Sequence, residues 1–143
     1  MCDGVNLLKN RGYDSAGIFR FGAGMPEGKL IKYADEGTSH VNCIDRVVEE
    51  VLMETGISTT GIAHTRWATC GGKVSHNAHP HFDETGRFHI VHNGIITNHG
   101  EIKNKYLAGV KFSSETDTEV IVQFIASEVR GGRSIVEALT TFG

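Results

Sequence analysis

The sequence predicts a layered α+β domain in which antiparallel strands pack against helices. Two hairpin-like stretches, residues 16–34 and 82–92, favour antiparallel pairing. Helix-capping patterns at residues 116–119 and 134–137 precede apolar residues at helical spacing. Strands mixed with helices, without a repeat or a low-complexity stretch, indicate one layered domain with no internal boundary.

The strands of the first half are predicted from alternation and turn signals. Apolar alternation predicts strands over 16–21 and 29–34, separated by a glycine-rich turn over 22–28. Residues 61–69 change from apolar to polar, which predicts a buried strand that ends in a loop carrying a site.

A helix is predicted between the second and third of these strands. Thr38 and Ser39 are candidate N-caps, and Gly56 is a natural stop. Cys43 lies on this helix and is expected to be a packed thiol. The predicted apolar face comprises Val41, Ile44, Val48, Val51 and Leu52.

The second half is predicted to form a hairpin followed by two capped helices. Phe82 and residues 87–92 are expected to pair across a turn at 83–86. One helix runs over 116–130, and a last helix begins at Ser134. The core face of the longer helix comprises Ile121, Phe124, Ile125 and Val129.

Composition excludes several functional classes. Fourteen basic against seventeen acidic residues give a net charge of −3, so no basic surface for nucleic acid is expected. No apolar run approaches the roughly 18 residues of a membrane span, and the N-terminus lacks the apolar core of a secretory signal. Three cysteines without metal-type spacing fit a reducing compartment, and we expect a cytoplasmic protein.

Cys2 is a candidate nucleophile because of its position. Removal of Met1 would leave a cysteine with both a thiol and a free α-amine. An N-terminal residue can thereby supply nucleophile and base together. A cysteine at the second position by coincidence is the alternative.

Three further segments carry groups that could bind a ligand. Arg66 offers a planar fork for a carboxylate beside the wall of Trp67, and a salt bridge beside a core tryptophan is the alternative. Asn93 and Gly94 could direct two N–H donors at an oxyanion, although Asn-Gly is also a common turn. Asp117 could pair with an ammonium group or simply compensate a helix dipole.

The histidine-rich stretch is also compatible with a metal-binding site. His76, His79, His81 and Glu84 follow one another at a spacing that could hold zinc on a β-protein. The alternative is a set of polar loop and strand-edge histidines, and no metal ligand is assigned. Cys70 could be exposed and oxidisable.

Five stretches in fixed order are far more specific than any one of them. They are RGYDSAGI (11–18), GIAHTRWAT (61–69), NAHPH (77–81), VHNGIITN (91–98) and SETDTEV (114–120). Their order resembles the class II glutaminase domains of the glutamine–fructose-6-phosphate aminotransferases, the hexosamine branch of the glutamine amidotransferases.

This resemblance implies an N-terminal-nucleophile fold, an α/β/β/α sandwich of antiparallel sheets. It implies that Cys2 attacks the side-chain amide of glutamine, that ammonia leaves, and that water releases glutamate from a thioester. No cofactor is implied. Ammonia would serve the synthesis of glucosamine-6-phosphate from fructose-6-phosphate, which binds to sugar-isomerase domains that this chain lacks.

The resemblance also implies a role for each matching residue. Arg66 and Thr69 would hold the α-carboxylate of glutamine, and Asp117 would hold its α-ammonium group. The side chain of Asn93 and the backbone N–H of Gly94 would form the oxyanion hole.

Three other residues would support the reaction. Arg11 would orient the nucleophile end, Trp67 would line the gate for ammonia, and His79 would lie near the site. Cys70 stands where the family usually has histidine.

The chain departs from the family pattern at its ends. The segment between Cys2 and Arg11 is shorter than usual, and the chain stops at Gly143, so residues 1–143 are expected to be a partial glutaminase domain. A catalytically inactive remnant that binds glutamine or a partner is the alternative function. The oligomeric state of a full-length protein is left open.

Overall fold

The computed structural model describes the chain apart from residues 1, 9, 11, 38–39, 70 and 143. The chain divides into two compact units, Met1–Pro80 and His81–Gly143. Each unit has its own antiparallel sheet and its own helices. Within the described part, every helix is too short or too polar to span a lipid bilayer.

The first unit is built on a three-stranded sheet. Its elements are α1 (Cys2–Leu7), β1 (Ser15–Gly22), β2 (Met25–Ala34), α2 (Cys43–Met53), β3 (Thr60–Arg66) and a short 3-10 turn (Ser75–Asn77). The strand order is β2-β1-β3, and both pairs are antiparallel. Ile18 on the central strand faces Ile31 on one side and Ala63 on the other. The buried core beneath the sheet comprises Val5, Ala16, Ile18, Ile31, Cys43, Ile44 and Val47.

The first hairpin is tighter than the sequence predicts. The ladder begins at Met25, which pairs with Gly22, so the predicted turn over 22–28 is wrong for residues 25–28. Pro26 is tolerated because β2 is an edge strand of this sheet, where a missing N–H interrupts no second ladder.

Helix α2 begins later than the first candidate caps. Asn42 is the N-cap, and its side chain accepts a hydrogen bond of 2.9 Å from the backbone N–H of Asp45. Thr38 and Ser39 lie outside the described residues. Cys43 is buried, which confirms the packed thiol.

The predicted core face of α2 is only partly right. The buried residues are Cys43, Ile44 and Val47, whereas Leu52 is 74% exposed. Leu52 follows Val47 by five positions, which turns it about 140° around the helix. It therefore faces away from the sheet, and Val41 precedes the helix and is also exposed.

The second unit contains the second hairpin and three helices. Its elements are β4 (His81–Phe82), β5 (His89–Ile90), α3 (His99–Tyr106), α4 (Asp117–Arg130) and α5 (Ile135–Phe142). The hairpin prediction is confirmed, because Phe82 pairs with His89 and the N–H of Gly86 donates to the carbonyl of Asp83 at 2.9 Å. The paired part of the second strand is shorter than the predicted 87–92.

Both capped helices are confirmed. The hydroxyl of Thr116 accepts from the N–H of Glu119, and Ser134 and Glu137 form a reciprocal capping box. Helix α3 was not predicted, because it buries a single apolar residue, Ile102, and so lacks a periodic signal. The core against α4 comprises Ile102, Leu107, Val120, Ile121, Phe124, Ile125 and Ala138, with Val129 packed against it.

A buried carboxylate and a partly buried histidine make the second hairpin sensitive to acid. Burial alone would raise the pKa of Asp83, but hydrogen bonds from Thr85 and from the N–H groups of Phe88 and Arg87 bring its pKa below the ordinary value. Burial lowers the pKa of His89, although the charge of Asp83 partly offsets this.

We therefore expect the second unit to lose stability in two stages as pH falls. The unfolded chain takes up a proton at His89 more readily than the folded chain, so stability declines below about pH 6.5. The stabilisation that Asp83 contributes is complete above its ordinary pKa and is lost below about pH 4.

Urea unfolding of the protein at a series of pH values measures both stages. In Asp83→Asn the acid stage should become smaller, although Glu137, whose pKa is also lowered by hydrogen bonds from Ser134, still contributes. The stage should keep its full size in a control, Glu101→Gln, at an exposed position of α3. An acid stage of unchanged size in Asp83→Asn would contradict this account.

Candidate functional site

The end of β3 presents a buried cation. Arg66 is 4% exposed and is the last residue of the strand. Its Nη1 donates to the carbonyl of Gly72 at 3.4 Å, and Nδ2 of Asn77 donates to the same carbonyl at 3.1 Å. The chain after β3 is thus held against the strand end by two buried side chains.

Asp14 lies between β3 and the chain that follows it. Its carboxylate is almost fully buried and accepts from the N–H of Ala68 at 2.9 Å and from Nζ of Lys73 at 2.6 Å. Its own N–H donates to the carbonyl of Arg66 at 3.1 Å. Burial alone would raise the pKa of Asp14, but these hydrogen bonds and the positive charges of Lys73 and Arg66 hold its pKa below the ordinary value.

The residues that follow Arg66 are open to solvent. Trp67 is 58% exposed, and its ring lies 5.4 Å from the ring of Tyr13. Thr69 is exposed as well. Cys70 lies outside the described residues. A buried guanidinium therefore stands directly before an exposed indole and hydroxyl.

Residues 76–79 of the histidine-rich stretch contact the sheet of the first unit. The ring of His79 is buried and stacks on His64 at 4.4 Å. Nζ of Lys32 donates to the carbonyls of His76 and Ala78 at 3.1 and 2.9 Å. The carbonyl of His79 lies over Gly17, at a distance that leaves no room for a side chain there.

The described residues do not support the hypothesis of a metal-binding site. Among them, no group of three or more histidine, cysteine, aspartate or glutamate side chains could hold a metal ion. His81 belongs to the second unit, where Thr116 hydrogen-bonds its buried ring at 2.9 Å. Glu84 pairs with Arg130 at 3.0 Å.

Asp117 is the first residue of α4 and is buried. Its Oδ2 accepts from the N–H of Ile96 at 2.7 Å, and its Oδ1 accepts from the hydroxyl of Thr118 at 3.5 Å. The carboxylate of Asp117 at the start of this helix thus holds the backbone of Ile96, two residues after Gly94.

Asn93 and Gly94 are both exposed. The ring of His92 lies against Gly94, and a side chain at this glycine would come within 2.7 Å of Nε2 of His92. Nδ1 of His92 lies 3.4 Å from the hydroxyl of Thr118, a second contact between this segment and α4.

Cys2 opens helix α1 rather than a strand. Its side chain is partly exposed, and Val5 fixes the helix in the core of the first unit. Cys43 is inaccessible by contrast, and burial raises the pKa of its thiol. Arg11 lies outside the described residues.

The structure adds three residues that sequence reasoning missed at this site. Asp14, Asn77 and Lys73 hold the chain around Arg66 through the contacts above. Two of them, Asp14 and Asn77, belong to the quoted stretches, so a signal existed for their importance but not for their contacts.

Comparisons with known proteins agree with this picture. The glutamine amidotransferase domain family matches residues 49–141. Glutamine–fructose-6-phosphate aminotransferase (isomerizing) of Streptococcus pneumoniae strain R6 is 43% identical over 96% of the chain. The enzyme of the same name from Geobacillus kaustophilus is 44% identical over 94% of the chain. The chain spans 21% of the length of each of these relatives.

A solved structure shows the same fold. Glutamine phosphoribosylpyrophosphate amidotransferase from B. subtilis, complexed with ADP and GMP, superposes over 98% of this chain and 28% of its own length. The TM-score is 0.66 at 22% sequence identity. The predicted α+β class, with antiparallel sheets and helices, is confirmed. With the family matched over residues 49–141, the chain belongs to the glutamine amidotransferase domain family.

Proposed function

We propose that the chain binds L-glutamine and hydrolyses its side-chain amide to glutamate and ammonia. The observation that carries this proposal is Arg66, a buried guanidinium held at a strand end beside exposed Trp67 and Thr69. A guanidinium has a planar fork of N–H donors that matches a carboxylate, and burial strengthens the pair. Arg66 and Thr69 would hold the α-carboxylate of glutamine.

The resemblance to the glutaminase domains implies further roles for residues of the second unit. Asp117 is a buried carboxylate that suits an α-ammonium group, and its bond to Ile96 holds it in one orientation. The side chain of Asn93 and the N–H of Gly94 would stabilise the oxyanion of the reacting amide. Two such donors lower a barrier by roughly 3–4 kcal/mol each.

Cys2 is the proposed nucleophile after removal of Met1. Its sulfur would bond to the amide carbon while its α-amine takes the thiol proton. The carbon–nitrogen bond would then break, and the proton would leave with ammonia. Water would cleave the thioester to give glutamate and restore the thiol. Arg11 and His79 would support this end of the site, and Trp67 would line the exit of ammonia.

The names of the relatives suggest where the ammonia goes. We propose that it serves amination of fructose-6-phosphate to glucosamine-6-phosphate in a longer protein of the cytoplasm. The sugar would bind to parts that this chain does not include.

Glutamine binding tests the role of Arg66. Titration calorimetry should show that Arg66→Lys binds glutamine at least about tenfold more weakly, because lysine cannot make the two parallel hydrogen bonds of the fork. Arg20→Lys is the matched control, since Arg20 is the other buried arginine of the same sheet, and its affinity should stay unchanged. Equal loss in both variants would refute a specific role for Arg66.

Ammonia release separates the enzyme from the inactive remnant. One observation favours the alternative, a catalytically inactive remnant that binds glutamine: Cys2 lies in a helix. If the chain is a glutaminase, ammonia release should occur and should disappear in Cys2→Ala, while glutamine binding persists. Binding without any ammonia release would favour the remnant.

A further inference from the structure

A single carboxylate joins both arms of the loop that follows β3. This loop, residues 67–74, is called the β3 loop, and its residue 70 is outside the described part. Asp14 accepts from Ala68 on the outgoing arm and from Lys73 on the returning arm. The backbone of Asp14 also bonds to Arg66 at the base of the loop.

We propose that Asp14 is a positioning residue that holds Arg66, Trp67 and Thr69 in the arrangement that binds glutamine. The inference rests on the proposed function for its link to glutamine. The positioning itself rests only on contacts within the first unit.

The burial and charge of Asp14 support this role. Its side chain is almost fully inaccessible, and both of its oxygens are used, one by a backbone N–H and one by an ammonium group. Hydrogen bonds to an ionised group are stronger than neutral ones. The cations that face it are Lys73 and Arg66, so the carboxylate is retained in its charged form. An amide of the same shape has only one acceptor oxygen, so it would lose one of the bonds to Ala68 and Lys73 as well as the charge attraction to Lys73 and Arg66.

The loop carries its own reporter, because Trp67 is the only tryptophan of the chain. Acrylamide quenching of its fluorescence measures loop order without requiring glutamine. In Asp14→Asn we expect faster quenching and roughly tenfold to hundredfold weaker glutamine binding, the effect of losing a hydrogen bond to a charged group. KM for glutamine should rise more than kcat falls. Asp35→Asn, the same change at an exposed position after β2, is the control and should match the wild type.

The outcomes separate the two proposals. Wild-type quenching and wild-type affinity in Asp14→Asn would overturn the positioning role. Faster quenching in Asp14→Asn, together with an absence of glutamine binding by the wild-type protein, would support the positioning and refute the proposed function. If Asp14→Asn does not fold, Lys73→Met decides, because it removes only the returning-arm contact. Faster quenching of Trp67 in Lys73→Met supports the proposal, and unchanged quenching overturns it.

Discussion

Gly17→Ala is expected to destabilise the first unit by about 3 kcal/mol or more. A β-carbon at this position would come within 2.1 Å of the carbonyl oxygen of His79 and within 2.8 Å of Cβ of Lys32. The carbonyl belongs to the backbone, so the clash cannot be relieved by a side-chain rotation. The segment must leave the sheet, and the bond from Lys32 to Ala78 would be lost with it.

Urea or thermal unfolding measures this effect. The matched control is Gly4→Ala in α1, where a β-carbon would meet nothing within 4 Å. Alanine inside a helix is favoured over glycine by roughly 0.5–1 kcal/mol, so the control should be neutral or slightly stabilised. A Gly17→Ala protein as stable as the wild type would show that the segment over Gly17 is held more loosely than described.

The elements that could be predicted from the sequence are those whose signals are local. Thr116 and Ser134 predict the starts of their helices because each is followed three residues later by a glutamate that forms the capping pattern. The turn residues at 83–86 predict the second hairpin, and its ladder confirms it. These features need no knowledge of the rest of the chain.

The features that could not be predicted depend on distant contacts. Helix α3 has too few apolar residues to show a period, and it packs through Ile102 alone among its buried residues. Leu52 has the apolar character of a core residue, but the position of α2 on the sheet leaves it exposed. Propensity is a weak guide where tertiary packing decides.

At the candidate site, too, residues with local signals could be predicted, whereas contacts between distant residues could not. Arg66 and Asp117 stand at the ends of predictable elements, so their residue types pointed to binding. The contact of Asp14 with Ala68 joins residues 54 positions apart and has no local signal. Motif order identified the family, but it could not show what each motif residue touches.

Glu119→Gln is expected to destabilise the second unit by about 3 kcal/mol. The carboxylate of Glu119 is fully buried, and both of its oxygens accept hydrogen bonds from backbone N–H groups: Oε1 from Ser113 at 2.7 Å and Oε2 from Ser114 at 2.6 Å. An amide can replace only one of these oxygens. Its NH2 group would face the other backbone donor, which would be left buried and unsatisfied.

The chain offers a matched control for this change in Glu137, at the same capping position of α5. Glu137 is exposed and uses a single oxygen, Oε2, to accept from the N–H and hydroxyl of Ser134. An amide oxygen can take over that role, so Glu137→Gln should change the unfolding midpoint little. Hydrogen exchange at Ser113 and Ser114 supplies a second readout, and both amides should exchange faster in Glu119→Gln alone. Equal effects of the two substitutions would mean that the second oxygen and the burial of Glu119 contribute little, and that the SETDTE stretch is an ordinary helix cap.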